Sequence, residues 1–131
     1  MTVTPIYAGI LAILFFVLSL RVVAVRGRVS LGDGGDPLVL RRMRGHANFA
    51  EYVPFIVVMM GFLEMGNTSI YVLHGAGVVL VVARLLHGYA LSFTEKFKFG
   101  RFWGTALTFG LLLVLGSLCL AQGLMFSTRQ P

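Results

Sequence analysis

Charge is what this chain has least of. Only 12% of its 131 residues are charged and only 5 are acidic, against roughly 25% charged residues in a soluble domain. Hydrophobic residues make up 57% and the mean hydropathy is +0.87, more apolar surface than a globular interior of this size can hide. A soluble fold is excluded, and lipid is the solvent. Cysteine is nearly missing as well: Cys119 stands alone, so no intramolecular disulfide can form, and it reads as lipid-facing or packing filler. No internal repeat or low-complexity tract appears, and no metal ligand set is assigned. The net charge of +6 is not interleaved with aromatics on a soluble surface, which excludes nucleic acid as a partner.

What remains is four apolar runs, Pro5 to Val25, Met43 to Met65, Ser69 to Phe93 and Phe102 to Phe126. At 1.5 Å per residue, about 20 residues cross a hydrocarbon core of roughly 30 Å. The predicted fold is an all-α membrane protein, a bundle of four transmembrane helices forming a single domain over residues 1–131. The first run has no basic residue before it, and Arg21, Arg26 and Arg28 follow it, so it is expected to be a retained helix and not a cleaved signal. The connections are short. Leu31 to Pro37 has the glycine, aspartate and proline density of an irregular turn, and Met65-Gly66-Asn67-Thr68 is a tight turn after which Thr68 or Ser69 can cap the third helix. Small residues, among them Gly75, Ala76, Gly77, Ala83, Gly100, Gly104, Gly110 and Gly116, permit close helix contact.

The few charges are unevenly placed. Arg21, Arg26, Arg28, Arg41, Arg42 and Arg44 flank the first connection, and Lys96, Lys98 and Arg101 flank the third, whereas Glu64 to Thr68 has no basic residue. The positive-inside rule puts connections one and three in the cytoplasm and both termini on the other side. The same basic rim attracts lipid headgroups and water-soluble anions.

An ionisable group at membrane depth costs roughly 2.5–3.5 kcal/mol on insertion scales and marks a functional site. Such groups open the second apolar run. Arg41, Arg44, Asn48, Glu51 and Tyr52 are spaced to share one helix face, a polar stripe about 16 Å long, from which His46 projects away. In the third run Arg84 and His87 share a face near the basic end, and Tyr89 lies on another. A buried Arg84–Glu51 ion pair is expected, since neither charge can stand alone in lipid. Arg41, Arg42, Lys96 and Lys98 read as snorkelling cations, and Tyr7, Glu64, Tyr71, His74 and Trp103 as interfacial residues of helix ends.

Arg44-Gly45-His46-Ala47-Asn48-Phe49-Ala50-Glu51-Tyr52-Val53-Pro54 resembles the second-helix signature of the membrane-associated proteins in eicosanoid and glutathione metabolism, the MAPEG family. Ala83-Arg84-Leu85-Leu86-His87 is similar to the Arg-x-x-His of that family's third helix, and Gly100-Arg101 to the arginine that opens its fourth. The likeness spans the chain in length, helix count and motif order, and the Gly-Asp-Gly-Gly-Asp-Pro connection is most similar to small bacterial members. The resemblance implies a homotrimer in the inner membrane with glutathione bound between subunits near the cytoplasmic side. It assigns ligand contacts to Arg26, Arg44, His46, Asn48, Glu51, Tyr52, Arg84 and His87, and stabilisation of the glutathione thiolate to Arg101. Where the family's catalytic members often have a tyrosine, four residues past the third-helix histidine, this chain has Leu91.

Glutathione carries two carboxylates and one ammonium, so several arginines with one glutamate complement it. A cation beside the sulfur raises the thiolate fraction. The implied activity is that of a glutathione transferase or peroxidase acting on lipophilic electrophiles or hydroperoxides taken from the bilayer. Two rival readings are a non-catalytic lipid- or glutathione-binding scaffold, which forms no thiolate, and a small multidrug transporter, which needs an acid in the first helix where Thr4 to Leu20 has none. Charge also fixes a topology that reporters can read. A phosphatase fused at the C-terminus is expected to be active outside the cytoplasm, and a cytoplasmic C-terminus refutes either the helix count or the orientation.

Overall fold

The computed structural model describes residues 1–27, 34–94 and 96–128. Within them the chain forms α1 (Val3–Arg26), α2 (Pro37–Met65), α3 (Ile70–Ser92) and α4 (Lys98–Ser127), with no strand among the described residues. All four are long and apolar enough to cross a membrane. The protein is an all-α membrane protein. Arg28 and residues Leu31 to Asp33 of the expected first turn lie outside the described residues.

Two helices begin a full turn or more before their apolar runs. α2 starts at Pro37, where Asp36 accepts a hydrogen bond from Leu38 N at 2.8 Å and proline occupies the first turn. That is the cap and lead-in that a helix start favours. The arginines that break the hydropathy before Met43 are good helix formers, so they belong to the helix although not to the apolar run. Gly34 and Gly35, at φ 59° and 79°, make the left-handed turn into this cap, a conformation open to glycine. α4 likewise starts at Lys98, which puts Arg101 in its first turn. Ser69 is the N-cap of α3, but its side chain makes no capping bond; its carbonyl takes Val72 N and Leu73 N at 3.0 and 3.2 Å. Asn67 turns the chain between α2 and α3 at φ 60°, a left-handed position that asparagine tolerates.

The helices run up and down. Tyr7 and His74, near the starts of α1 and α3, share a 3.0 Å hydrogen bond, and Arg21 near the end of α1 donates to Ser92 O at the end of α3 at 2.7 Å. α2 and α3 touch each other and both of the others, while α1 and α4 do not meet. The core gathers Leu11 and Leu18 of α1, Ile56, Met60 and Leu63 of α2, Leu73 and Leu80 of α3, and Leu115 of α4. The outer faces keep large apolar side chains uncovered, such as Ile13, Val23, Phe55, Leu113 and Leu120, as lipid requires.

Electrostatic ties close both ends. At the opposite end from the arginines, the Glu64 carboxylate accepts from Val3 N and Thr4 N at 2.8 Å each, and from Thr2 N, so an acid near the end of α2 caps α1. At the basic end Arg21 also lies over the Phe93 ring, 4.2 Å from its centroid, and Arg42 donates to Arg21 O at 3.0 Å. Cys119 Sγ donates to Met59 O at 3.4 Å, a packing role.

The small residues divide into contacts and bystanders. A Cβ on Gly104 would stand 2.7 Å from both Ala83 O and the His87 Cβ, and one on Gly100 would stand 2.9 Å from Leu86 O, whereas Gly75 and Gly110 have nothing within 4 Å. Helices α3 and α4 therefore meet backbone to backbone at Gly100 and Gly104. Gly104→Ala is expected to destabilise the bundle by about 1–3 kcal/mol, the range for overpacking. Gly110→Ala, in open space on the same helix, should be neutral or slightly stabilising. Thermal unfolding of the two variants in one detergent checks the contrast, and equal effects refute this account of the α3–α4 contact.

Candidate functional site

The polar stripe of α2 opens onto a cleft of about 500 Å³ at the basic end of the bundle. Arg41, Arg44, Asn48 and Glu51 form one wall, and Pro37, Leu40 and Ala47 extend it. His87 and Leu91 of α3 form the back, and Arg101 and Thr105 of α4 close the far side. Intervals of three and four residues put the α2 groups on one face. The early start of α4 places Arg101 and Thr105, one turn apart, opposite them. Arg44, Glu51 and Arg101 are exposed on the single chain and make no ion pair among the described residues. Three guanidinium groups and one carboxylate thus face a common space, with an amide and an imidazole deeper in.

Behind this cleft lies the one large charged side chain that is wholly buried among the described residues. Arg84 is 1% exposed. Its Nη1 donates to Asn48 Oδ1 at 2.8 Å, and its Nη2 donates to Gly104 O at 3.1 Å and to Thr108 Oγ1. The Thr108 hydroxyl in turn donates to Gly104 O at 2.7 Å. The expected Arg84–Glu51 ion pair is not formed. The lack of a side chain on Gly104 brings α4 against α3 and carries a main-chain oxygen to the guanidinium, so neutral oxygens of α2 and α4 meet its two terminal nitrogens, while Nε has no partner among the described residues. Pairing with Glu51 would have required burying a second charge, and burying both partners rarely repays their desolvation. Glu51 instead stays on the open wall of the cleft.

Residues 4–121 match the MAPEG family. The chain is 36% identical over 115 residues to a protein named inner membrane protein YecN of Escherichia coli strain K12, covering 86% of this chain and 87% of that one, and equally to the protein of the same name in strain O6:H1. No solved structure matches. The chain belongs to the MAPEG family.

Against the MAPEG pattern read from the sequence, the structure brings Arg44, Asn48, Glu51, His87 and Arg101 to one cleft. Arg84 stands behind that cleft and reaches it only through Asn48. His46 turns to the α1 side: its ring stacks on Phe15, with centroids 4.5 Å apart, and Nε2 lies 3.1 Å from Ser19 Oγ. The Ser19 hydroxyl already donates to Phe15 O at 2.8 Å, so His46 donates to it. Tyr52 packs on Phe109 of α4, with centroids 5.4 Å apart, outside the lining. Arg26 is exposed at the end of α1 and is also outside the lining in the single chain. Tyr89 is outside the lining of the single chain. It stacks on Phe93 and meets Phe97 edge-on, while Leu91 itself lines the cleft. Sequence reasoning missed Thr105 and Thr108. The only available signal was their spacing of four and seven residues from Arg101, which no charge or motif made conspicuous. Arg41, read as a snorkelling cation, lines the cleft as well.

Proposed function

We propose that this MAPEG protein binds glutathione in the cleft and uses it as a membrane-bound transferase or peroxidase on lipophilic electrophiles or hydroperoxides. The observation that carries the reading is the convergence of Arg41, Arg44 and Arg101 with Glu51 and Asn48 around one space. Two carboxylates and an ammonium of glutathione need paired guanidinium donors and one acid. This donor set fits them, and its excess positive charge suits an anionic tripeptide. The cleft walls facing outward from the single chain suit a homotrimer in which a neighbour completes the site. The inner-membrane label carried by its relative and the basic ends of its connections suit an inner-membrane protein with both termini outside the cytoplasm and lipid around its outer faces.

Glutathione supplies the nucleophilic thiol. Arg101, in the first turn of α4, offers a cation and a helix start to the developing thiolate, both of which favour the ionised sulfur. Transfer forms a carbon–sulfur bond and sends the displaced electron pair to the electrophile or its leaving group. The lipophilic partner arrives from the bilayer through the apolar outer face of α4. A scaffold reading is favoured by one observation, the apolar Leu91 where catalytic relatives often have tyrosine. Ultraviolet difference spectroscopy of the purified protein with glutathione separates the two, because the enzyme reading expects thiolate absorbance. Binding without it, together with no turnover of a panel of electrophiles and hydroperoxides, establishes the scaffold.

Glu51→Gln is expected to weaken glutathione binding by about 1.5–3 kcal/mol, the range for a hydrogen bond to a charged group. Isothermal titration of the folded variant measures it, and unchanged affinity removes Glu51 from the binding site. Arg101→Ala should lower turnover by ~100-fold or more, on the scale of losing one preorganised electrostatic donor, while affinity stays within a few fold. Losses of equal size in turnover and affinity make Arg101 a binding residue instead.

A further inference from the structure

Asn48 touches both the buried arginine and the cleft, and the two ends of its amide are not interchangeable. Arginine has donors only, so the atom 2.8 Å from Arg84 Nη1 has to be the amide oxygen. The nitrogen end, with both hydrogens, is left for the cleft that Asn48 lines, and it has no partner among the described residues. An unrestrained asparagine presents either end by a half-turn of its terminal torsion, which is broad and roughly two-fold. Here the turned amide would set N–H against a guanidinium that is 1% exposed. Donor would face donor where water cannot intervene, and an unmet buried donor carries its full desolvation penalty. The guanidinium cannot move aside, because Gly104 O and Thr108 Oγ1 hold its other arm from α4.

We infer that Arg84 is a positioning residue that locks the Asn48 amide with its donors toward the cleft, which makes this point of the site selective for a hydrogen-bond acceptor. The group it takes is a carboxylate or peptide carbonyl oxygen. The inference rests on the reading of the cleft as a glutathione site and adds how one of its contacts acquires a fixed polarity. A cation on the amide oxygen also polarises the amide, strengthening the N–H groups at the other end. The sequence places the pieces on three helices, with Asn48 on α2, Arg84 on α3, and Gly104 and Thr108 on α4, so the arrangement exists only in the assembled bundle.

Asn48→Asp keeps the shape, keeps an oxygen for Arg84 and removes the donors. The unliganded variant is expected to melt at or above the temperature of the wild type, because a carboxylate meets the guanidinium with a charge-assisted bond. Its glutathione affinity should fall roughly 100-fold, as for the loss of a hydrogen bond to a charged group. A lower melting temperature overturns the amide orientation. Affinity within about threefold of wild type overturns the positioning role, since an Asn48 that merely joins helices is replaced well by aspartate. Arg84→Met gives the second arm of a double-mutant cycle. It should weaken binding roughly tenfold alone and add nothing in an Asn48→Ala background, and equal losses in both backgrounds overturn the role. If Arg84→Met fails to fold, Asn48→Asp still decides. A wild-type protein that binds no glutathione overturns the proposed function and the positioning role with it, whereas binding by wild type and Asn48→Asp alike overturns the role alone.

Discussion

A single guanidinium, that of Arg84, sets the terms for the basic end of the bundle. A cation out of reach of water needs acceptors, and the oxygens that meet its two terminal nitrogens come from α2 and α4. Glycine at 104 follows from this, because any side chain there would hold α4 away from Ala83 and His87 and withdraw the carbonyl that the arginine needs. Threonine at 108 follows as well, its hydroxyl bonding both the Gly104 carbonyl and the guanidinium. The acid of the stripe is then left without an ion pair among the described residues. Glu51 is not consumed in neutralising Arg84 and remains on the wall of an open cleft, where it can meet a ligand.

Much of the architecture could be read from hydropathy alone, because lipid imposes one solution on a long apolar run: a helix that satisfies its own backbone. The four elements, their order and the polar stripe of α2 are all visible in residue spacing. The element boundaries were less legible where charge interrupts an apolar run. Arg41 and Arg42 lie ahead of the apolar run that starts at Met43 but are interior to a helix that Asp36 and Pro37 begin. Hydropathy measures what lipid tolerates, and helix formation depends on backbone caps and propensity, so the two boundaries differ by a turn or more.

The site was legible as a set of residues and only partly as an arrangement. Arg44, Asn48 and Glu51 share a face by arithmetic, and that face does line the cleft. The partner of Arg84 is not legible, because charge complementarity points to an acid and a main-chain oxygen goes unseen. A carbonyl has no letter in a sequence, and Gly104 O becomes available only through a close approach that a lone glycine in a helix does not announce. His46 shows the opposite case. Its place in the family motif suggests a ligand contact, but the helical period turns it toward α1, where Phe15 and Ser19 hold it.

The bond between Glu64 and the first residues of α1 bears on how the protein matures in the bilayer. The backbone amides of Thr2, Val3 and Thr4 lack partners within their own helix, and the carboxylate that takes them lies up to 62 residues further along the chain. α1 is made before the acid that completes its end, so that end stays unfinished until α2 has threaded back beside it. The α1–α2 hairpin is therefore tied at its open end by a bond that exists only when both legs are present.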